Sequence, residues 1–384
     1  MTSVLTTGRD HGHAEERERL AEDFVALCSI ESPSGRERRI ADRVAAQLRA
    51  LGLEVQEDAS AAATGSDAGN LLARVPGPAG ARTILLCAHL DTVPLAAAVE
   101  VVREGGVFTN ANEAILGADN KAAVAVLLAV ARRLVREGAP VGVELLFTTC
   151  EELALRGVKE FRHAALLSEF GFVFDHASPI GDLIVAAPTY YRIDARVHGA
   201  AAHAGIRPED GRNAIVAAAR AIVATPTGRI DEGTTANVGT IEGGSAPNIV
   251  AERCHVEFEA RSLDDERAGA LVGEIVDRVA EAASESECDV ETSVDQLFRA
   301  YRLARSAPPV RAAAMALEAR RIEPRYVATG GGSDANALIA AGLPVLNVAN
   351  ATERNHQPDE SVTVEALETM LDVTLGIVER CAEV

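Results

Sequence analysis

The chain has 384 residues, of which 48% are hydrophobic, and this length predicts two domains rather than one core. Its formal net charge of −20 argues against nucleic acids and anionic membranes as partners, because basic patches usually recognise both. The sequence has no apolar run of about 18 residues and no apolar signal segment near its beginning, so we expect a cytoplasmic protein without a membrane span.

Helical and strand patterns alternate through the first part of the chain. Helices are predicted over residues 15–29, 36–52 and 120–136. Strands are predicted over residues 53–56, 70–75, 83–89, 143–149 and 170–174. The segment TILLCAH at 83–89 is continuously apolar, which is typical of a strand that is buried on both faces. The alternation predicts an α/β domain with a largely parallel sheet over residues 1–187.

The pattern changes after residue 187 and returns near residue 301. Residues 188–300 contain longer alternating strands and two helices, which predicts a separate inserted α+β domain. Its expected elements are strands at 189–198 and 251–262 and helices at 211–224 and 265–284. Residues 301–384 are expected to complete the first domain. Their elements are a helix at 307–320, a strand at 325–329, a helix at 333–341, a strand at 344–348 and a helix at 364–381.

Acidic and histidine side chains occur where several of these strands end. In an open α/β sheet, ligands bind outside the carboxyl ends of the strands, so we expect these side chains to face one crevice. One further acid precedes the long helix at 120–136, and one histidine lies in a loop before the last helix. The residues are His89, Asp91, Asp119, Glu151, Glu152, Asp175 and His356.

Five of these residues are carboxylates, and no nearby run of Lys or Arg would neutralise them. Crowded, partly buried carboxylates repel one another, so bound metal is the simplest explanation of the cluster. A set of Asp, Glu and His ligands suits Zn²⁺, with Mn²⁺ or Co²⁺ as alternatives. The charge of three carboxylate and two imidazole ligands is balanced by two divalent ions and a bridging hydroxide, which favours two metals.

Each position also has a simpler structural interpretation. Asp91 lies two residues after His89, so both side chains point to one side of a strand, and Asp91 could fix the imidazole tautomer or merely cap the strand. Adjacent glutamates such as Glu151 and Glu152 often form only a solvated turn, but here they follow a buried strand. Cys150 is interpreted as a small buried filler rather than a nucleophile.

The motifs together resemble a known enzyme family. HLDTVP at 89–94, GADNKA at 117–122, CEE at 150–152, the Asp of VFD and the late NH pair are similar to the zinc exopeptidases. That family includes peptidase T, carboxypeptidase G and succinyl-diaminopimelate desuccinylase. The resemblance extends from about residue 20 to the end, and GADNKA is most similar to the peptidase-T-like branch.

The resemblance implies a catalytic domain with two Zn²⁺ ions, interrupted by a lid and dimerisation domain at 188–300. It implies roles for the first cluster: His89 and Asp175 hold one ion, Glu152 and His356 the other, Asp119 bridges both, Glu151 is the general base and Asp91 orients His89. It also implies a cis peptide bond after Asp119.

The inserted domain carries further matches to this family. AAHAGIRPEDGRNAI contains His203, which is expected to reach the scissile carbonyl, in many members from the partner subunit. Asn248 and Arg261 match positions that bind a substrate carboxylate. Gly331, in GGGSDAN, matches a loop that lines the substrate pocket. The chain departs from peptidase T at Asn120 and Cys150, where that enzyme has aspartates.

The predicted function is hydrolysis of an amide bond in a small peptide by a metal-bridging hydroxide, with Glu151 transferring the proton. The same machinery would also suit a deacylase or desuccinylase of N-acyl amino acids. A two-metal phosphoesterase and a non-catalytic binding protein are the remaining hypotheses. A homodimer through the inserted domain follows only by analogy.

Overall fold

The computed structural model describes the chain from Val4 to Val384, with side chains from Glu15 onward. The chain forms two compact units. The first comprises the residues up to Val185 together with Leu303–Ala328 and Ser333–Val384, and the second comprises Ala186–Arg302 with Thr329–Gly332. The junctions between the units fall after Val185 and after Arg302, and residues 329–332 belong to the second unit.

The elements alternate in the order that the sequence suggests, and several further strands are added, among them the ten-residue strands at 234–243 and 289–298. The helices are α1 (Val4–Cys28), α2 (Arg38–Ala50), α3 (Ala61–Thr64), α4 (Ala118–Glu137), α5 (Arg156–Glu160), α6 (Ala214–Ala224), α7 (Asp265–Glu285), α8 (Pro308–Glu318), α9 (Asp334–Ala340) and α10 (Val364–Arg380). The early strands are β1 (Val55–Glu57), β2 (Leu71–Val75), β3 (Thr83–His89), β4 (Val101–Glu104), β5 (Val107–Asn110), β6 (Gly142–Thr148), β7 (Phe170–Val173) and β8 (Asp182–Ala187). The later strands are β9 (Thr189–His198), β10 (Gly228–Asp231), β11 (Thr234–Gly243), β12 (Arg253–Ser262), β13 (Asp289–Phe298), β14 (Tyr301–Arg302), β15 (Arg325–Ala328), β16 (Val345–Val348) and β17 (Val362–Thr363).

The first unit is built on a mixed sheet with the strand order β1-β2-β6-β3-β7-β16-β8, and β15 lies beside β8. The central strands β6, β3, β7 and β16 are parallel, which confirms the predicted sheet. The outer pairs β1–β2, β2–β6 and β16–β8 are antiparallel. Because the central strands run in one direction, the carboxyl ends of β3, β6 and β7 meet at one edge, where the candidate residues follow them.

Helix α4 lies at the centre of the first unit. Every residue from Ala118 to Ala131 is buried, and the helix packs against β3, α1, α2 and α10. From Ala122 to Ala131 the helix is apolar on all sides, and it needs such surroundings because it has no face suited to water. The helix places Asp119, in its first turn, beside the carboxyl end of β3. A small antiparallel sheet of β4, β5 and β17, absent from the sequence prediction, completes the unit.

The second unit is an antiparallel sheet with the order β10-β11-β12-β9-β13. Helices α6 and α7 pack on it, and Ile193, Phe258 and Leu271 belong to its own hydrophobic core. Within this unit, β14 pairs with Ala186 and Ala187 at the end of β8. The predicted class, an α/β fold with an inserted α+β domain, is therefore confirmed. None of the helices in the described part of the chain is long and apolar enough to cross a membrane.

Candidate metal centre

His89 is the hub of the residue cluster at the sheet edge. It is the last residue of β3 and is 1% exposed. Its Nε2 lies 3.3 Å from Asp119 Oδ1 and 3.7 Å from Asp175 Oδ1. Its Nδ1 lies 3.0 Å from the backbone oxygen of Asp91 and 3.5 Å from Asp91 Oδ1. The backbone of Asp91 therefore makes the shorter contact with the imidazole, so Nε2 is the nitrogen that faces the other acids.

Asp119 lies between the imidazoles of His89 and His356, which are far apart in the sequence. Its Oδ1 faces His89, while its Oδ2 lies 3.4 Å from Nε2 of His356 and accepts a 2.8 Å hydrogen bond from Nδ2 of Asn355. His356 Nε2 also lies 2.8 Å from Glu152 Oε1. The peptide bond between Asp119 and Asn120 is cis, as the family resemblance implies. One carboxylate thus connects the His89 group with the His356 group.

Asp91 holds the backbone that carries the two glutamates. Its Oδ1 accepts the amide of Glu151 at 3.0 Å, and its Oδ2 accepts the amide of Glu152 at 3.1 Å. Oδ2 also accepts the hydroxyl of Ser34 at 2.6 Å. Asp91 itself is fully buried. Its side chain therefore fixes the position of the adjacent glutamates in addition to its contact with His89.

Asn347, on the neighbouring strand β16, holds the backbone of Asp175. Its Oδ1 accepts the amide of Asp175 at 3.0 Å, and its Nδ2 donates to the Asp175 carbonyl at 2.8 Å. Asn347 is 2% exposed and also donates to the hydroxyl of Ser333. This paired contact fixes the residue that follows β7, so that the Asp175 carboxylate remains near His89.

The electrostatics of the cluster favour a cation. Burial raises the pKa of Glu151 well above its usual value, and the nearby charge of Asp175 raises it further. Burial likewise raises the pKa values of Glu152 and Asp175. Burial alone would lower the pKa of His89, but hydrogen bonds to three carboxylates outweigh it and the pKa is well above normal. The raised pKa of His89 therefore indicates that the surrounding acids favour positive charge at this position.

The pKa values of His356 and Asp119 also indicate that the cluster favours positive charge. Hydrogen bonds to Asp119 and Glu152 raise the pKa of His356 to about 10, although burial opposes this. Burial would raise the pKa of Asp119, yet the two imidazoles hold it below its ordinary value. Cys150 is different, because burial and the charge of Glu37 raise its pKa to about 12. A thiol of this kind stays protonated, in agreement with its interpretation as a buried filler.

The donor set fits divalent metal ions. Two groups of three residues each have ligand atoms that all lie within 4.8 Å of one another. One group is His89, Glu151 and Asp175, and the other is His89, Asp119 and Glu152. His356 adjoins the second group through Glu152 and Asp119. Carboxylate oxygens with imidazole nitrogens and no thiolate are typical ligands of Zn²⁺ and similar ions. The seven residues singled out in the sequence are therefore brought together, in a form that could hold metal.

The four candidate residues of the second unit form two local pairs there. His203 bridges to Ile249, and the amide of Ala204 donates to the carbonyl of Asn248 at 3.0 Å, so His203 and Asn248 lie side by side on exposed segments. Arg261 stacks on the ring of Tyr190 at 4.1 Å from its centroid and donates to the carbonyl of Gly330, next to Gly331.

Four residues that support the cluster were not identified from the sequence: Asn347, Asn355, Glu360 and Asp334. Asn355 belongs to the quoted NH pair and Asp334 to GGGSDAN, and Glu360 lies four residues after His356. Asp334 accepts the hydroxyl of Thr148 at 2.5 Å, directly behind the two glutamates. Nothing in the local pattern distinguishes such residues from ordinary loop or cap residues, because their partners are far away in the chain.

Comparison with known proteins gives matches in both units. Residues 189–287 match the peptidase dimerisation domain, and residues 70–178 match peptidase family M28. The uncharacterised protein YqjE of Bacillus subtilis (strain 168) is 34% identical over 366 residues, which cover 95% of this chain and 99% of YqjE.

Two solved structures are similar over nearly the whole chain. Aminopeptidase PepT from Bacillus cereus ATCC 10987 has 34% sequence identity and a TM-score of 0.86, covering 95% of this chain and 99% of its own. A tripeptidase from Staphylococcus aureus subsp. aureus Mu50 has 32% identity and a TM-score of 0.91, covering 96% of this chain and 99% of its own. Coverage of this extent includes most of both units.

Proposed function

Because this chain belongs to the M20 family of zinc exopeptidases, we propose that it is a two-metal hydrolase that cleaves an amide bond of small peptides. The observation that carries the proposal is the position of Asp119. Its two oxygens face two different imidazoles, at 3.3 Å for His89 and 3.4 Å for His356. A carboxylate that connects two ligand groups is the arrangement that a shared ligand requires.

The proposed ligands divide into two sets that share Asp119. His89 and Asp175 would hold one ion, and Glu152 and His356 would hold the other. Zn²⁺ is the expected metal, and Mn²⁺ or Co²⁺ would suit the same donors. When bound, the metal ions polarise the substrate carbonyl and lower the pKa of water toward neutrality.

Glu151 is the proposed general base. It is 8% exposed, and burial raises its pKa, which makes its carboxylate a stronger proton acceptor than an exposed glutamate. It would accept a proton from water and donate it to the leaving amine nitrogen, a role that typically contributes about 10²–10⁴-fold to the rate. Asp91 supports this role because it fixes the Glu151 amide and with it the start of the side chain.

The second unit would supply substrate contacts. Arg261 and Asn248 are proposed to bind a substrate carboxylate, and Gly331 is proposed to lie beside the substrate. Arg261 stacks on Tyr190, and its Nη1 and Nη2 donate to the carbonyl of Gly330 and to the carboxylate of Glu259. A two-pronged bond to a substrate carboxylate, which lysine could not reproduce, would replace these two contacts. His203 would donate a hydrogen bond to the carbonyl under attack, and donors placed in this way are typically worth about 3–4 kcal/mol.

We also propose a homodimer through the second unit. Three apolar side chains of α6 are exposed, with Ile215 at 38%, Val216 at 45% and Val223 at 87%. β10 pairs with Thr234, Thr235 and Ala236 of β11, and in the described part of the chain no other strand pairs with the rest of that edge of β11. An exposed apolar helix face beside an open strand is a suitable surface for a second copy.

A substrate panel tests the proposal. The purified protein, loaded with Zn²⁺, is offered tripeptides, dipeptides, N-acetyl and N-succinyl amino acids and a phosphate ester. We expect cleavage of peptides, with tripeptides included because one similar structure is a tripeptidase. Cleavage of the acylated amino acids alone would replace the peptidase with a deacylase. Cleavage of none by metal-loaded protein would contradict the proposed reaction.

A further inference from the structure

Glu360 is a buried acid, and both oxygens of its carboxylate accept hydrogen bonds from backbone amides. It is 1% exposed and lies four residues after His356. Its Oε2 accepts the amide of Gly117 at 2.7 Å, and its Oε1 accepts the amide of Asp119 at 2.9 Å. These bonds join two segments more than 240 residues apart in the chain.

The segment that Glu360 contacts cannot satisfy those amides by itself. Gly117 has a left-handed backbone with φ +76°, and Asp119 has φ −81° and ψ 105°, which are not helical values. Both amides stand at the start of α4, where no carbonyl of the helix is available to them. A buried amide without a partner is costly, so an acceptor from elsewhere must be supplied. Glu360 supplies both acceptors.

The loop that carries Glu360 also contacts the Asp119 side chain. Asn355 donates to Asp119 Oδ2 at 2.8 Å, and His356 Nε2 lies 3.4 Å from the same oxygen. The loop therefore contacts Asp119 at its backbone through Glu360 and at its carboxylate through Asn355. Lys121, which is 1% exposed, lies near enough for its charge to offset that of Glu360. Asp119 and His356 are thereby held in one assembly.

We propose that Glu360 is the positioning residue of this centre. By fixing the backbone at 117–119 to the His356 loop, it sets the orientation of the Asp119 carboxylate between the two ligand sets. The inference rests on the proposed function, in which Asp119 is shared by two metal ions. It assigns Glu360 no contact with substrate and no part in proton transfer.

The substitution Glu360→Gln tests the proposal with almost no change of size. The amide side chain keeps one acceptor but turns an NH₂ group toward a backbone N–H, so one of the two bonds is lost. Changes of groups that orient metal ligands typically cost about 10–100-fold in metal affinity or activity. We expect the weaker-binding metal ion to lose affinity by about that factor, with a parallel fall in kcat and a change in KM of less than about threefold.

Metal-free wild type and variants are titrated with Zn²⁺ by calorimetry and with Co²⁺ by visible absorption, whose spectrum reports the ligand geometry. Asp359→Asn is the matched control, because Asp359 is the next residue, is exposed and pairs with Arg354 at the surface. It should behave like wild type. Glu360→Asp, which keeps both oxygens on a shorter stem, should give an intermediate affinity, and it carries the test if Glu360→Gln does not fold.

Two results would separate the possible failures. Wild-type protein that binds fewer than two ions would contradict the proposed function itself. Wild type with two ions, together with a folded Glu360→Gln variant whose affinities and Co²⁺ spectrum are unchanged, would overturn the positioning role alone. A lower melting temperature with unchanged metal affinity would also overturn it, because Glu360 would then only stabilise the fold.

Discussion

Replacing Asp91 by asparagine tests how the two glutamates are held in place. The carboxylate of Asp91 accepts the amides of Glu151 and Glu152 and the hydroxyl of Ser34. If the oxygen of the asparagine takes the position of Oδ2, its NH₂ group faces the amide of Glu151. One hydrogen bond is then lost, and one buried donor has no partner. Such a donor costs about 1–3 kcal/mol.

The expected result is a loss of both stability and rate. The free energy of unfolding of metal-free protein should fall by about 1–3 kcal/mol in urea denaturation, because the amide is buried in the folded state only. Displacement of a catalytic group by about 1 Å can cost about 10²-fold, so kcat should fall by about that factor while KM changes less.

The control for this experiment is Asp42→Asn. The side chain of Asp42 is 64% exposed and pairs with Arg38, and an exposed pair of this kind contributes about 1 kcal/mol or less. It should leave kcat unchanged. The reasoning would be refuted by an Asp91→Asn variant that keeps wild-type kcat and loses less than about 0.5 kcal/mol, since the carboxylate would then not be holding the glutamates.

Three further changes have defined outcomes. Glu151→Gln should lower kcat by at least about 10²-fold while both metal ions remain bound by elemental analysis; a variant with near-normal kcat would exclude Glu151 as the base. Burial raises the pKa of Asp334 to about 7, so its contribution to stability is present at low pH and is lost as pH rises through about 7. Asp334→Asn should therefore gain in unfolding free energy relative to wild type as pH rises from about 4 to about 7, measured with chelator present, and a constant difference over this range would contradict the raised pKa. Val223→Asp should shift the protein toward monomer in analytical ultracentrifugation, because it places a charge on the exposed α6 face; an unchanged dimer would move the interface elsewhere.

The sequence identified the parts of the fold that have a strong hydrophobic pattern. The apolar run at 83–89 became β3 with the predicted bounds, and the predicted strand at 189–198 became β9. By contrast, β11 and β13 are each ten residues long and were not predicted. Most of their side chains are exposed, so they lack the alternation of apolar and polar residues by which a half-buried strand is recognised.

The residues of the candidate site could likewise be predicted from the sequence only in part. His89, Glu152 and Asp175 could be placed together because each lies at or just after the end of a strand, and parallel strands end at one edge of the sheet. Asn347 and Glu360 could not, because their role depends on contacts across 172 and 241 residues of sequence. A backbone amide that donates to an acceptor from a distant segment leaves no periodic signal in the sequence, whereas a ligand at a strand end has a positional one.

The metal content of the purified protein, measured together with peptide hydrolysis, tests the central claim most directly. The account predicts about two Zn²⁺ per chain, loss of tripeptide hydrolysis when a chelator removes them, and recovery when zinc is returned. Protein that hydrolyses peptides equally well without metal, or that binds no divalent metal at all, would contradict the two-metal account.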